Sequence, residues 1–505
     1  MKKCLLFAAA IAATTAATAQ VETSKIAAST GGSFGAPGNY VKLYTVAPDL
    51  SEITRADSAL GDFSNAVTQD GALIYCHVGR GWGHPEGTDQ ILVYNAGTGE
   101  RDFEVNTGVS GLQDMAIYEN YLVFIRGFGA TDNKSVKVLN KNTNLEVYAD
   151  TQVVSPGAMH IADGKLYVAH TQSDEAVISV YDLRGESVQK RGQYLLNDTL
   201  TSGANNIFVH DGTAYLLHRK FAPDFSVAYD GFTTVNLADS SFVVDTSVSA
   251  NKIITYHNGY LWMRKNGITT YKLADGTFNN VTGTQSTAAA FDSIQGIFYL
   301  QNTDYFSYGE VMRLDTGFNV AGTAQTDWSG SALSPIYNRL PEVLSVTDLA
   351  IGNDYIYEFS LNDADRADTA RITTAQLLTG ALSVQVFNDS TVVVSGRDNA
   401  HSDDTLLVTV CDNLGGCVHY EMFIPGRTTS VANQVSKHIK TYPNPATDVL
   451  FVDGLNQNTS YRLFDLSGKV IREGYVQNQI NVSEIKRGMY QLHIAGSAPQ
   501  KVLIK

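Results

Sequence analysis

The sequence predicts an all-β protein: a seven-bladed β-propeller, then an Ig-like β-sandwich, then a small β-sandwich at the C-terminus. Three observations predict it. A Gly- or Asn-centred turn running into an alternating apolar strand recurs along the first two thirds of the chain. Its period lies in the forties, the spacing of four-stranded propeller blades. Beyond about residue 340 the period is lost, and β-branched runs alternate with polar turns at sandwich spacing.

At 505 residues, 44% hydrophobic and 10% aromatic, the chain has apolar material for more than one core. The turn-strand unit opens at Asp70-Gly71, Glu119-Asn120, Asp163-Gly164, Asp211-Gly212, Asn258-Gly259 and Gln295-Gly296. From turn residue to turn residue the steps are 49, 44, 48, 47 and 37. Each turn follows a short apolar strand such as Ala158–Ile161 and leads, after the second strand, to a third such as Val177–Asp182. Their β-branched and aromatic residues suit a half-buried pleated surface.

That makes six blades, and the seventh is shared between the ends of the region. Lys25–Ala28 reads as a second strand and Tyr40–Tyr44 as a third, with no first strand ahead of them; Leu333–Asn338 can supply it. Sharing a blade removes two open sheet edges. Over residues 22–340 the pattern resembles the seven-bladed YVTN-type surface propellers, and Gly31–Gly38 resembles the glycine-rich first loop of such bacterial proteins.

The expected organisation is a signal peptide over 1–19, the propeller over 20–340, the Ig-like or cadherin-like sandwich over 341–427, a linker over 428–435 and the C-terminal domain over 436–505. Lys2 and Lys3, the apolar run from Cys4 to Ala13 and the small residues Ala17-Thr18-Ala19 form a secretory signal pattern, too short to span a membrane. No later run is long and apolar enough to do so. Export to an oxidising space frames the cysteines. Cys411 and Cys417 flank the turn-rich Asp412–Gly416 and are expected to form a disulfide, whereas Cys76 lies within a strand pattern as a buried small hydrophobe.

Asn362-Asp363-Ala364-Asp365-Arg366-Ala367-Asp368 gathers three carboxylates in one turn, which could surround a calcium ion, although such turns are more often solvated loops. No other cofactor is expected. The net charge is −15, and residues 431–505 hold nine Lys/Arg against five Asp/Glu. The tail is thus +4 and everything before it −19. An acidic body repels phosphate backbones, which argues against nucleic acid as a partner.

The C-terminal domain carries four ordered blocks: Tyr442-Pro443-Asn444-Pro445-Ala446-Thr447-Asp448, Tyr461–Val470 with Ser467-Gly468 as a hairpin turn, Ile485–Leu492 and Lys501–Lys505. They resemble the C-terminal sorting domain of the Bacteroidota type IX secretion system. The resemblance implies the type IX machinery as partner, passage across the outer membrane, removal of the tail, and release or surface attachment.

Six residues beyond each turn residue stand His77, Arg126, His170, His218, Lys265 and Asn302, all polar and five of them able to carry positive charge. With Asn65, Asp114 and Asn206, near the starts of first strands, they are expected to ring one mouth of the propeller. That ring would bind a glycan, peptide or small anion, or is polar simply because strand ends become loops. The histidines are too far apart between blades for a metal site. No catalytic set is apparent, neither a nucleophile with a base nor paired carboxylates. The loop Gly79–Gly87, with Arg80, Trp82 and His84, reads as a structured loop that could also pack on a sugar. A secreted or surface-attached, non-enzymatic binding protein is the expected function. A glycan-active hydrolase or lyase, or a structural surface-layer component, are the alternatives.

Overall fold

The computed structural model describes residues 20–31, 40–80, 88–108, 110–127, 135–173, 175–201, 203–222, 224, 226–265, 267–304, 308–326, 330–380, 382–396, 401–427, 439–495, 497 and 499–505. The expected signal segment, most of the glycine-rich loop, Trp82, His84 and the linker lie outside them.

Seven of the sheets have four antiparallel strands in blade order. Blade 1 comprises Val67–Asp70, Leu73–Val78, Gln90–Asn95 and Glu100–Asn106. Blades 2 to 6 begin with the inner strands Leu112–Tyr118, Pro156–Ala162, Ala204–His210, Lys252–His257 and Ala288–Asp292. In the seventh, Gly330–Arg339 pairs with Val21–Thr30, followed outward by Tyr40–Val46 and Ile53–Leu60, so the shared blade forms from both ends of the region. Inner strands touch in a cycle from blade 1 through blade 7 and back to blade 1.

The turns behave as their residues dictate. Asp163 and Gly164, Asp211 and Gly212, and Asn258 and Gly259 all take positive φ, the backbone of a tight hairpin that matches the twist of its strands. Second strands are buried on both faces, as in Leu73–Val78 and Tyr121–Arg126, because a neighbouring blade covers each side. Outer strands such as Glu100–Asn106 and Gln189–Leu195 are polar and largely exposed, which blunts their edges against pairing with other chains.

After the closing strand the chain forms two facing sheets. One holds Glu342–Ile351, Asp354–Asn362, Thr391–Ser395 and Ser383–Asn388; the other holds Arg371–Leu377, Asp404–Cys411 and Cys417–Ile424. Tyr357, Phe359, Val392, Val394, Leu406, Val408 and Val410 fill the space between them. Cys411 and Cys417 are joined at the hairpin end, and Cys76 is buried in the propeller, its thiol pushed up to about 12 by burial.

Propeller and sandwich belong to one compact unit, and residues from Pro425 onward, with 397–403, to a second. Within the first unit, Arg366 Nη1 donates to Asp70 Oδ2 at 2.6 Å and to the Tyr75 hydroxyl at 3.0 Å. Its backbone oxygen accepts from Ala72 N–H at 2.9 Å. Leu414, at the tip of the disulfide hairpin, is buried in the same cluster as Ile74, Cys76, Tyr94 and Ile336.

The C-terminal unit packs Lys440–Tyr442, Val449–Asp453 and Gln479–Asn481 with a four-stranded sheet of Val470–Val476, Thr459–Phe464, Gly488–Ile494 and Gln500–Ile504. Asn444 staples the Pro-Asn-Pro entry to the last strand: its Nδ2 donates to Lys501 O and its Oδ1 accepts from Leu503 N–H, both at 2.8 Å. Asp465 Oδ1 closes the Ser467-Gly468 turn by accepting from the N–H groups of Ser467 and Lys469.

A Cβ on Gly71 would fall 2.2 Å from Arg366 N, whereas one on Gly212, at the equivalent turn of blade 4, meets open space. Both positions have positive φ, which costs an added side chain about 1 kcal/mol. Gly71→Ala is therefore expected to lower stability by roughly 1–3 kcal/mol more than Gly212→Ala, by displacing the sandwich loop. Urea midpoints of the two variants, side by side, measure the difference.

Candidate functional site

The starts of the inner strands converge on the propeller axis around a cavity of about 180 Å³. Asn65, Gln113, Asp114, Asn205, Asn206, Asn251, Lys252 and Arg264 supply its polar lining. A repeated irregularity builds this lining. In blades 2, 3 and 4 one extra residue bulges from the inner strand at the same place: Gln113 between Leu112 and Asp114, Gly157 between Pro156 and Ala158, Asn205 between Ala204 and Asn206. Blade 5 bulges at Ile254, two ladder pairs nearer the hairpin turn. A bulge leaves its residue out of the ladder and re-aims the side chains around it. Gly157 is required because a Cβ there would sit 2.1 Å from Ala204 O of the next inner strand.

Two of the lining amides also staple neighbouring blades. Asn65 Nδ2 donates to Leu112 O at 2.8 Å, and Asn206 Oδ1 accepts from Ile253 N–H at 2.9 Å. Asn65 Oδ1 and Asn206 Nδ2 are outside these bonds. Asn205 Oδ1 is buried without a partner. Asn251 bridges Arg219 and Lys265 O, and Arg264 Nη1 donates to Ser286 O. Asp114 is half-buried and accepts from Met115 N–H at 2.9 Å. Burial raises its pKa, against the opposing pull of the Lys252 charge and of the Met115 and Met159 N–H groups.

Of the nine residues expected at the mouth, Asn65, Asp114 and Asn206 meet in this cavity. His77, Arg126, His170 and His218 do not face solvent: they are 0%, 2%, 2% and 1% exposed, sandwiched between blades. Lys265 is exposed and Asn302 half-buried, and neither lines the cavity. The expectation of a cationic ring is thus corrected. His77, Arg126, His170 and His218 lie within second strands that are covered on both faces, and the three imidazoles make internal hydrogen bonds.

His77 Nδ1 accepts from Asn65 N–H at 3.0 Å, which leaves the Nε2 proton for Asp89 Oδ2 at 3.1 Å. Asp89 Oδ2 also accepts from Leu112 N–H at 2.8 Å, so the pair pins blade 1 to the inner strand of blade 2. Burial pushes the Asp89 pKa up, but the His77 bond and charge and the Arg80 and Leu112 N–H groups outweigh it, and the carboxyl lies below its ordinary value. His170 Nε2 lies 3.0 Å from Ser179 Oγ, and His218 Nε2 lies 2.8 Å from Thr233 Oγ1. Both pair across from the residue just before a bulge, Pro156 and Ala204. Burial lowers both pKa values to about 4, aided at His170 by the Lys190 charge and opposed by Asp150, and opposed at His218 by the Thr201 backbone. They are neutral props of the bulges at physiological pH.

Sequence reasoning missed Gln113, Asn205, Asn251, Lys252 and Arg264. The dipeptides Gln113-Asp114, Asn205-Asn206 and Asn251-Lys252, each at the start of an inner strand, are the signal that could have found them.

Residues 440–505 match the family model described as Secretion system C-terminal sorting domain. No curated protein is matched by the chain. Among solved structures, the chain is similar to a putative 6-phosphogluconolactonase from Bacteroides uniformis at 11% identity, over 62% of this chain and 99% of that one, with a TM-score of 0.46. It is similar to Kuenenia stuttgartiensis hydrazine synthase at 12% identity, over 56% and 93%, with a TM-score of 0.42. For Citrobacter koseri AztD the values are 12%, 62% and 89%, and 0.38. The propeller assignment rests on strand pairing and not on these likenesses.

A histidine whose folded pKa is depressed binds fewer protons in the folded than in the unfolded state between the two values. Its stabilising effect is complete above about 6.5 and is lost as pH falls towards 4. With three such groups at about 4, His160 as well as His170 and His218, of order 3 kcal/mol each, the propeller is expected to lose thermal stability steeply between pH 6.5 and 4. Nitrogen-15 spectra at about pH 5 should show the His170 and His218 rings still neutral, since that pH lies above their folded values.

Proposed function

We propose that this chain, a type IX secretion cargo by its sorting tail, is a secreted or cell-surface binding protein whose axial cavity takes a small polar ligand, a terminal sugar residue or a small carboxylate. Among the described residues no helix is long and apolar enough to cross a membrane. An N-terminal signal over 1–19 would supply the first export step.

The observation that carries the reading is the convergence of amides on one axial cavity by a bulge repeated at the same place in three blades. Amides both donate and accept, as sugar hydroxyls do, and each can meet a carboxylate with its NH₂. Lys252 and Arg264 beside them favour an anion, while Asp114 would orient a hydroxyl. A volume of about 180 Å³ falls below the ~300 Å³ at which pockets take drug-sized molecules, which favours one sugar unit over a peptide.

Amides neither attack nor transfer protons, and this supports binding over catalysis. Asp114, a carboxyl in the cavity lining with a raised pKa, is what a hydrolase or lyase reading could use as an acid. A purely structural surface-layer role would need no occupant at all.

Glycan arrays and a panel of small organic acids, probed with the mature chain, test the reading. Gln113→Ala combined with Lys252→Ala, both at exposed positions, is expected to weaken any axial ligand by about tenfold or more, since two directed hydrogen bonds are lost. Binding that is unchanged in that variant would remove the axial site. Turnover of a bound glycan that is lost in Asp114→Asn would convert the binder into an enzyme.

A further inference from the structure

At the junction of propeller and sandwich, side-chain oxygens of Asp363, Asp368 and Asp412 all lie within 4.8 Å of one another. Asp363 and Asp368 come from the turn after Asp354–Asn362, and Asp412 from the disulfide hairpin. The cation inside the turn is engaged elsewhere: Arg366 binds Asp70 and Tyr75. Lys25 donates to Ala96 O and acts on Asp368 only through its charge, and Arg339 acts on Asp365. Asp365 accepts from Arg339 N–H at 2.7 Å.

One oxygen of each carboxylate is fixed by backbone N–H groups. Asp363 Oδ1 accepts from Asp365, Asp368 Oδ1 from Thr369 and Asn413, and Asp412 Oδ1 from Gly416. The other oxygens of Asp363 and Asp368 are buried with no partner.

A second observation comes from a different element. Asn338, on the closing strand of the propeller, is 0% exposed and reaches into the cluster, its Nδ2 donating to Asp412 Oδ2 at 2.9 Å. Its Oδ1 has no partner. Turned over about its last bond, the carboxamide would present that oxygen where Nδ2 stands, and amide oxygen and nitrogen are interchangeable in shape.

We infer that Asp363, Asp368 and Asp412, with the Asn338 amide oxygen, hold a calcium ion that ties the sandwich to the closing strand of the propeller. The donor set is all oxygen and mostly anionic, the chemistry of a hard divalent cation. Calcium takes oxygens at about 2.3–2.6 Å, so three ligands spread evenly around one ion stand about 4.0–4.5 Å apart, and a cluster already within 4.8 Å can share one after shifts of about a few tenths of an ångström and the turn of the Asn338 carboxamide. The ion would cancel the repulsion among three carboxylates and bridge the turn, the hairpin and the propeller strand.

The test is a calcium titration of the EDTA-treated mature chain, by calorimetry and thermal melting, with magnesium alongside. One ion per chain is expected, with a Kd of about 10⁻⁴–10⁻³ M as in extracellular modules, and a rise in the melting midpoint with CaCl₂. In Asp363→Asn/Asp368→Asn the calcium response should vanish, while the midpoint in EDTA should equal or exceed that of the wild type because the repulsion is relieved. Wild-type protein that binds no calcium up to about 10 mM overturns the inference, and so does a double variant that keeps the calcium response. A double variant that melts lower than wild type in EDTA, or fails to fold, also overturns it, because the carboxylates would then be held without an ion. A magnesium response equal to that of calcium would overturn the assignment of the ion.

Discussion

The pairing of Val21–Thr30 with Gly330–Arg339 is the constraint on which the rest of the first unit depends. A row of four-stranded sheets stacked side by side has two open ends, each presenting apolar surface to water. One antiparallel ladder between residues about three hundred positions apart removes both. It also fixes the axis, because only in a completed cycle do seven inner strands face a common cavity. The same strand then delivers the chain to the sandwich, with Asn338 and Arg339 at its end meeting Asp412 and Asp365.

Three features of the propeller share a logic, in that polar groups are placed where blades must touch. The His77–Asp89 pair, the Asn65 and Asn206 staples, and the imidazoles behind the bulges each satisfy backbone or side-chain groups that burial would otherwise strand. The apolar clusters between blades supply bulk attraction without direction. The polar contacts supply register, and the repeated bulge is held at one height around the ring because its neighbours are held there.

The blades and the shared seventh sheet were legible because a Gly turn at a fixed period is a local signal, and local turn chemistry survives in any context. The four blocks of the tail were legible for the same reason: Asn444 and Asp465 act on neighbours in the fold through a turn written in consecutive residues. Depth was not legible. Alternation tells which face a residue takes, but a second strand has a blade on each side, and so His77, Arg126, His170 and His218 are interior whichever face they take. The cavity was half legible: Asn65, Asp114 and Asn206 follow from counting, whereas Gln113 and Asn205 depend on bulges, which shift the count by one. The acidic turn was visible as a run of Asp, but Asp412 and Asn338 join it from 44 positions after Asp368 and 25 before Asp363, which no local pattern encodes.

The closing ladder also sets an order of events. Blades 1 to 6 can form by hairpin steps between neighbours in sequence, but the ring is complete only when the strand ending at Arg339 has joined one that begins at Val21. Contacts of such high sequence separation form late and slowly, after the loop entropy has been met. A chain interrupted before that strand would keep both outermost blade faces uncovered, and would be open to proteases and to pairing with other chains. Completion of the fold is therefore reported at the end of the propeller next to the sandwich and not at its first blade, so the junction is where a finished molecule differs from an unfinished one.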